Sequence, residues 1–269
     1  TGSLALLADA GHMLSDVAAL GLSLFAMWIA DMPGGPKQTY GYYRAEILAA
    51  LLNAATLLAI AGFIFVEAYE RLAAPRPVPG GWMIAIASGG LVINLIGLWI
   101  LQDSRSESLN MRGAFLHIAA DALGSVGAIG AGLLIWGYGW YWVDPAASVV
   151  IASLVLYSAW NLLVEAVAVL MESAPRGIDV DEVGSTIRAL DGVQAVHDLH
   201  VWTITTNMVA MSAHVETEEG ADHAAVLRRV KDTLHRDFGI AHTTIQIDPA
   251  GYADEYCAGA ARCPSVHGR

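Results

Sequence analysis

Charged residues and cysteines are scarce in this chain. Only 15% of its 269 residues are charged, whereas about a quarter are charged in an ordinary soluble domain. Two cysteines, Cys257 and Cys263, are too few for a disulfide framework. Basic residues are outnumbered, 14 against 26 acidic ones, and the net charge of −12 leaves no basic face for a nucleic acid. With 55% hydrophobic residues and a mean hydropathy of +0.50, the composition predicts a membrane protein with a soluble part.

Five apolar runs are each long enough to cross a bilayer, which takes about 20 residues. They cover residues 2–30, 41–72, 81–101, 111–138 and 141–171, and they predict a transmembrane domain over residues 1–172. Lys and Arg are concentrated in alternate connections, which places the chain after Met171 in the cytoplasm and Thr1 outside. We therefore expect a sixth span before the first one seen here. Trp and Tyr residues between 136 and 142 predict an aromatic belt at one membrane surface.

Residues 173–250 have the pattern of a soluble α+β domain. Amphipathic helices are predicted over 179–190 and 221–238, and strands over 193–205, 208–217 and 242–247, with a turn at Thr206 and Asn207. The order αββαβ suits a small sheet that two helices cover on one face. The tail, residues 251–269, has no periodicity.

Two pairs of ionisable residues lie inside the apolar runs. His12 and Asp16 are four residues apart, and His117 and Asp121 repeat that spacing about a hundred residues later. On a helix, residues four apart share one face. Charged groups at membrane depth are costly unless they are paired or face a polar cavity. Two helices that each offer one imidazole and one carboxylate can supply the four ligands of a tetrahedral Zn²⁺.

The ligand set favours carriage of a divalent metal over hydrolysis. Two carboxylates balance the metal's charge, and imidazoles suit zinc better than magnesium or calcium. The same ligands do not distinguish zinc from cobalt, nickel or cadmium. Four protein ligands leave no open coordination position for a catalytic water, so an enzyme is not expected. Both ligand types bind metal only when deprotonated, so protons compete for the site near neutral pH. A gradient of protons could therefore drive metal export.

Other interpretations of these residues remain open at this stage. The two pairs could instead join helices by hydrogen bonds, hold a structural metal in a membrane-anchored sensor, or form an intramembrane hydrolase. Asp9 lies on the same stripe as His12 and Asp16, and it either supports the ligands, lines the metal's entry path or faces water. Three glutamates are interpreted as interface charges or as charges paired with a partner: Glu67, Glu70 and Glu165. Arg71 follows Glu67 by four residues, the spacing of an ion pair on a helix.

Three features together resemble a known transporter family. They are the two His/Asp pairs, the segment YGYYRAEIL at residues 40–48, and the segment VHDLHVWTI at residues 196–204. From Thr1 to about Pro249 the chain is similar to the zinc-transporting branch of the cation diffusion facilitator family. The resemblance implies a six-span homodimer with both termini in the cytoplasm that exports Zn²⁺ in exchange for H⁺. It also implies a ferredoxin-like cytoplasmic domain that binds regulatory metal. The connector at residues 102–110 has no histidines, unlike the His-rich loop of eukaryotic relatives, which favours a bacterial cytoplasmic membrane.

The resemblance also implies a second set of metal ligands in the cytoplasmic domain. Four residues fall at positions like those of the family's regulatory site: His197, His214, His223 and Asp248. Gln246 stands where some relatives have another ligand, and Tyr43 stands where many zinc-branch members have a histidine, so no metal is assigned to that loop.

The remaining histidines and the cysteines of this region have simpler interpretations. His200 and His242 are interpreted as ordinary surface histidines. Cys257 and Cys263 either join a cytoplasmic zinc site or are free thiols.

Overall fold

The computed structural model describes residues 2–30, 32, 34–74, 76–102, 109–205 and 208–250. The side chains of some helical residues, among them Asp9, His12, Asp16 and His117, lie outside the described part. The chain divides into two compact units. The first unit comprises Thr1–Phe25 and Ala49–Leu163, and the second comprises Ala26–Leu48 and Val164–Arg269.

Five long helices follow one another along the first two-thirds of the chain: α1 (Leu4–Ala30), α2 (Ala45–Ala73), α3 (Gly80–Leu101), α4 (Leu109–Tyr138) and α5 (Val143–Leu170). Within the described residues, four segments are long and apolar enough to cross a membrane: Ala45–Ala73, Gly80–Leu101, Ile118–Tyr138 and Val143–Leu170. Helix α1 contributes the shorter apolar segment Leu4–Ser15. The predicted helical membrane bundle is thereby confirmed, while the number of spans, five or six, stays a prediction.

Large apolar side chains cover the outside of these helices. Trp99 is 71% exposed and Leu123 is 73% exposed, far more than a water-soluble helix bundle leaves open. In the short connection after α4, the rings of Tyr138 and Trp140 lie 5.3 Å apart, and those of Trp140 and Trp142 are stacked at 6.2 Å. Such rings suit the boundary between lipid and water.

The first two turns of α1 lie between two groups of helices. Leu4 and Ala8 are buried against residues of α2 and α5, and Ala5 and Leu6 are buried against α3 and α4. Small residues dominate these contacts, as expected where helices approach closely in a membrane. This packing brings one end of α1 beside α4.

A buried carboxylate caps the beginning of α1. Asp144, in the first turn of α5, is fully buried and accepts backbone N–H bonds from Leu4 at 2.8 Å and Ala5 at 3.2 Å, as well as the hydroxyl of Ser3. The Nη1 atom of Arg71 lies 3.8 Å from Asp144 Oδ2. Arg71 also pairs with Glu67 at 2.9 Å, which confirms the pairing expected from their spacing. Asp144 thus satisfies donors that a helix end would otherwise leave unpaired.

Helices α3 and α4 touch backbone to backbone. A Cβ atom placed on Gly80 would lie 2.7 Å from the carbonyl oxygen of Gly132, and one placed on Gly132 would lie 2.8 Å from Cγ1 of Ile84. Further along, Gly90 faces Ser125 and Gly97 faces Ile118. Glycine is required at the first pair because no larger residue fits.

Helix α2 begins at Ala45, four residues after the Gly41 expected from the apolar run. Gly41 has a φ of +68°, in the left-handed region, so a right-handed helix cannot include it. Turn hydrogen bonds follow, from Gly41 N to the Gln38 carbonyl and from Ala45 N to the Tyr42 carbonyl.

The sheet and its helices have the predicted order αββαβ, which confirms the α+β fold class. The elements are α6 (Val180–Arg188), β1 (Val193–Thr205), β2 (Met208–Thr217), α7 (His223–Phe238) and β3 (His242–Asp248). Strand β2 is central, antiparallel to β1 and parallel to β3. The predicted turn at residues 206–207 lies outside the described residues.

Both helices pack on the same face of this sheet. Their apolar residues Val183, Ile187 and Val226 share one core with Met211 and Val215 of β2. Because side chains alternate along a strand, Ser212 and His214 of β2 point to the other face. That open face carries the chemistry described next.

Candidate metal centres

The four residues predicted to carry metal in the membrane lie on two helices. His12 and Asp16 belong to α1, and His117 and Asp121 belong to α4. Only the side chain of Asp121 is within the described part, where it is half-buried. The packing of α1 beside α4 fits a shared site, but the ligand set itself stays a prediction.

The open face of the sheet brings three predicted ligands together. His197 on β1 is paired directly with His214 on β2. On the other side of β2, His214 pairs with Gln246 of β3, and Glu216 pairs with Asp248, the last residue of β3. Asp248 therefore lies two positions further along the sheet than the partner of His214. The strand pairing therefore places two imidazoles and one carboxylate side by side.

The ligand atoms of this trio are within reach of a single ion. His214 Nδ1 lies 3.3 Å from Asp248 Oδ2, His197 Nε2 lies 3.9 Å from the same oxygen, and the two imidazole rings are 5.2 Å apart. One ligand atom from each residue lies within 4.8 Å of the others. Two imidazoles and a carboxylate are the donors that zinc takes readily.

The same three atoms lack other partners. His197 Nε2, His214 Nδ1 and Asp248 Oδ2 are buried, and none makes a hydrogen bond within the described structure. Burying a polar atom without a partner is costly. A divalent cation at this point would satisfy all three atoms at once, so the residues present fit a metal.

Neighbouring groups hold the trio in place. The Gln246 side-chain amide donates to Asp248 Oδ1 at 3.0 Å, which leaves Oδ2 turned towards the histidines. Asp198 lies on the far side of His214, with Oδ2 at 3.8 Å from His214 Nε2, and pairs with His200 at 3.0 Å. Asp198 has a φ of +49° at an irregularity between His197 and His200, and this bend lets its carboxylate reach His214. Asp198 therefore brings a second carboxylate close to the ring of His214.

The other predicted cytoplasmic ligands are not in the trio. His223, exposed at the start of α7, lies 3.2 Å from the Thr217 hydroxyl through Nε2. Thr217 in turn donates to the Asp248 backbone carbonyl, so His223 is linked to the centre through one residue. Cys257 and Cys263 lie outside the described residues.

Contacts inside the second unit join the connection before α2 to the sheet. Glu46 accepts the hydroxyl of Thr205 at 2.8 Å, and Arg44 pairs with Glu172 at 3.0 Å. The ring of Tyr40 meets His242 edge-on at 5.7 Å, so His242 is not an isolated surface residue. No local pattern predicts these partners, because Glu46 and Thr205 are 159 positions apart.

Together, these features define a membrane protein whose α+β domain carries a candidate metal-binding cluster. A family model described as the cation efflux transmembrane domain matches residues 1–171, and one described as the cation efflux protein cytoplasmic domain matches residues 175–250. The chain belongs to the cation efflux family, the cation diffusion facilitators. It is an integral membrane protein, and its C-terminal α+β domain is cytoplasmic.

Bacterial relatives match most of the chain. A cadmium, cobalt and zinc/H(+)-K(+) antiporter of Bacillus subtilis is 43% identical over 92% of this chain and 81% of its own length. The metal cation efflux system protein CzcD of Cupriavidus metallidurans is 43% identical over 93% and 79%. The zinc transporter ZitB of Escherichia coli is 44% identical over 92% and 80%. These proteins are named as transporters, which agrees with the prediction of a carrier and not an enzyme.

The chain is also similar over part of its length to a solved structure. It is the metal-bound C-terminal domain of the Cupriavidus metallidurans CzcD transporter, 35% identical, with a TM-score of 0.26. The match covers 26% of this chain and 99% of that domain.

Proposed function

We propose that this protein exports Zn²⁺ from the cytoplasm in exchange for H⁺, with the metal held by His12, Asp16, His117 and Asp121. The observation that carries the proposal is the placement of two His/Asp pairs on α1 and α4 in a chain of the cation efflux family. The burial of α1 against α3 and α4 supports it, since it brings the two helices together at one end.

Exchange follows from the chemistry of the ligands. Imidazole and carboxylate bind zinc only without their protons, so loading with metal releases protons and unloading takes them up. Histidine titrates close to neutral pH, which makes both states accessible under cellular conditions. Asp9, on the same helix as His12 and Asp16, is proposed to support the ligands or to line the path by which metal enters.

We also propose that the trio His197, His214 and Asp248 binds a second, regulatory zinc ion. Three buried and unpartnered ligand atoms support this assignment. His223, Cys257 and Cys263 are candidates for completing the coordination. The cytoplasmic domain matches a family model whose short name refers to a dimer, and we infer that the protein works as a homodimer.

A broader metal range is the second candidate function. Two of the relatives described above are named for more than zinc or for metal cations in general. Cobalt and cadmium accept the same nitrogen and oxygen donors. Competition by each metal against zinc uptake would rank them.

Transport into proteoliposomes tests the proposal. Protein is reconstituted with a zinc-sensitive dye inside the vesicles and a pH gradient across the membrane. Zinc entry should be accompanied by opposite proton movement, and Asp16→Ala and Asp121→Ala should each abolish it. Glu70→Gln, at an exposed position near the end of α2, serves as the matched control and should transport normally.

The alternatives give different results in the same assay. A membrane-anchored sensor binds zinc saturably but shows no flux in any variant. Zinc flux that persists in both Asp16→Ala and Asp121→Ala would contradict the proposed membrane site.

A further inference from the structure

The interface of α3 and α4 contains a small polar patch in otherwise apolar surroundings. Asn94 is 8% exposed and Ser125 is 1% exposed. The amide nitrogen of Asn94 and the hydroxyl of Ser125 are both buried and make no hydrogen bond within the described structure. Helix α3 has no charged residue, and its other buried positions are Gly80, Met83 and Ala87.

The pairing of the two helices shows which part of α4 lies opposite Asn94. Gly97 faces Ile118 at 3.4 Å, and Gly90 faces the Ser125 hydroxyl at 3.6 Å. The two glycines are seven positions apart on α3, and their partners are seven positions apart on antiparallel α4. Asn94, between the glycines, is therefore level with Asp121. Ser125 follows Asp121 by four residues and so lies on the same side of α4.

An unpartnered amide at this depth needs an explanation. Water cannot reach the hydrocarbon region freely, and an unsatisfied polar group there costs several kcal/mol. Interfaces between membrane helices do not need asparagine, since glycine and alanine already pack α3 against α4. A donor retained at such a cost points to an acceptor at the same level.

We propose that Asn94 and Ser125 position the carboxylate of Asp121 for metal: when the ion is bound, the Asn94 amide donates a hydrogen bond to one carboxylate oxygen and leaves the other for the ion. A carboxylate accepts several hydrogen bonds, so this role is compatible with the other interaction that Asp121 makes. Groups that orient metal ligands typically change metal affinity when removed. Asn94 and Ser125 are positioning residues, which act on the metal through Asp121. This inference rests on the proposed function, because it assumes that Asp121 binds the transported ion.

Transport kinetics in proteoliposomes test the role of Asn94. Asn94→Leu fills nearly the same space without a donor, and it should raise the KM for zinc about tenfold, as expected for the loss of a hydrogen bond to a charged group. The maximal rate should change much less. Asn94→Ser keeps a hydroxyl donor and should recover part of the affinity. A merely structural role would lower the maximal rate, through loss of folded protein, and leave KM unchanged.

Two further variants complete the experiment. Ser125→Ala removes only a hydroxyl from a position that faces Gly90, so it should fold normally and raise KM by a smaller factor. Ser153→Ala is the matched control, because its hydroxyl bonds within α5 to the Val149 carbonyl, and its KM should equal that of the unmodified protein.

The outcomes separate this inference from the proposed function. If Asp121→Ala abolishes transport while Asn94→Leu and Ser125→Ala keep the normal KM, the positioning role is wrong and the transport site stands. If Asp121→Ala transports normally, the transport site itself is wrong and the positioning role falls with it.

Discussion

The carboxylate of Asp144 accepts a hydrogen bond from the hydroxyl of Ser3, 141 positions earlier in the chain. The same carboxylate accepts the backbone N–H groups of Leu4 and Ala5. One residue of α5 therefore fixes the start of α1, the helix that carries His12 and Asp16.

Asp144→Ala should destabilise the protein strongly. It would leave the Leu4 and Ala5 N–H groups and the Ser3 hydroxyl without their acceptor, and it would remove a counter-charge from Arg71. A buried donor left without its acceptor costs about 1–3 kcal/mol, and three donors lose theirs here. Thermal unfolding in detergent should show a clear drop in the transition temperature, whereas Glu70→Gln should unfold like the unmodified protein. Equal transition temperatures for both variants would argue against the cap.

Zinc should protect the cytoplasmic sheet through the trio of His197, His214 and Asp248. At a zinc concentration about 100 times the dissociation constant, binding stabilises a folded unit by about 2.7 kcal/mol. Hydrogen exchange of β1, β2 and β3 should therefore slow when zinc is added. His214→Ala should abolish this effect, and His235→Ala, an exposed position on α7, should retain it.

The zinc protection of the sheet should also depend on pH. Zinc binds the deprotonated imidazoles of His197 and His214, so acid opposes binding. Lowering the pH from about 7.5 to about 5 should remove most of the protection, because protons compete with zinc for the same ligand atoms. Protection that is equal at both pH values would exclude the histidines as ligands.

Replacing a membrane histidine by aspartate should change which metals are carried. His12→Asp or His117→Asp gives three oxygen donors and one nitrogen donor, which favours cadmium and other metals that tolerate more oxygen ligands over zinc. Competition of cadmium against zinc uptake should then be severalfold stronger. An unchanged ranking of metals would show that the histidines do not set selectivity.

The N-terminal cap of α7 should contribute a modest amount to local stability. Asp222 accepts the N–H groups of Ala224 and Ala225 at 2.9 and 3.2 Å. Asp222→Ala should cost about 1 kcal/mol and speed hydrogen exchange in the first turns of α7. Asp232→Ala, on the exposed side of the same helix, provides the comparison.

The sequence predicted the architecture because periodicity is a local property. Apolar runs identified the helices of the first unit, and alternating residues identified the strands that contain His197 and His214. The start of α2 differed because Gly41 adopts a left-handed conformation that hydropathy does not register. The His197, His214 and Asp248 set came from family resemblance, and strand register then brought the three residues together.

Contacts between distant segments could not be predicted in this way. Asp144 appeared in the sequence only as one acid near the start of an apolar run, and nothing local marked Ser3 as its partner. The same holds for Asn94, which looked like an isolated polar residue until the register with α4 placed it level with Asp121. Asp198 reaches His214 only because of a backbone bend.

The close contact at Gly80 and Gly132 constrains the motion that transport requires. Since no methyl group fits between the two backbones, α3 and α4 cannot slide along each other without collision. In the proposed transport cycle, they would move together as one rigid body when the site changes the side of the membrane it faces. Asp121 would then keep Asn94 at its level throughout the proposed cycle, and the helices that slide past one another would be other pairs of the bundle.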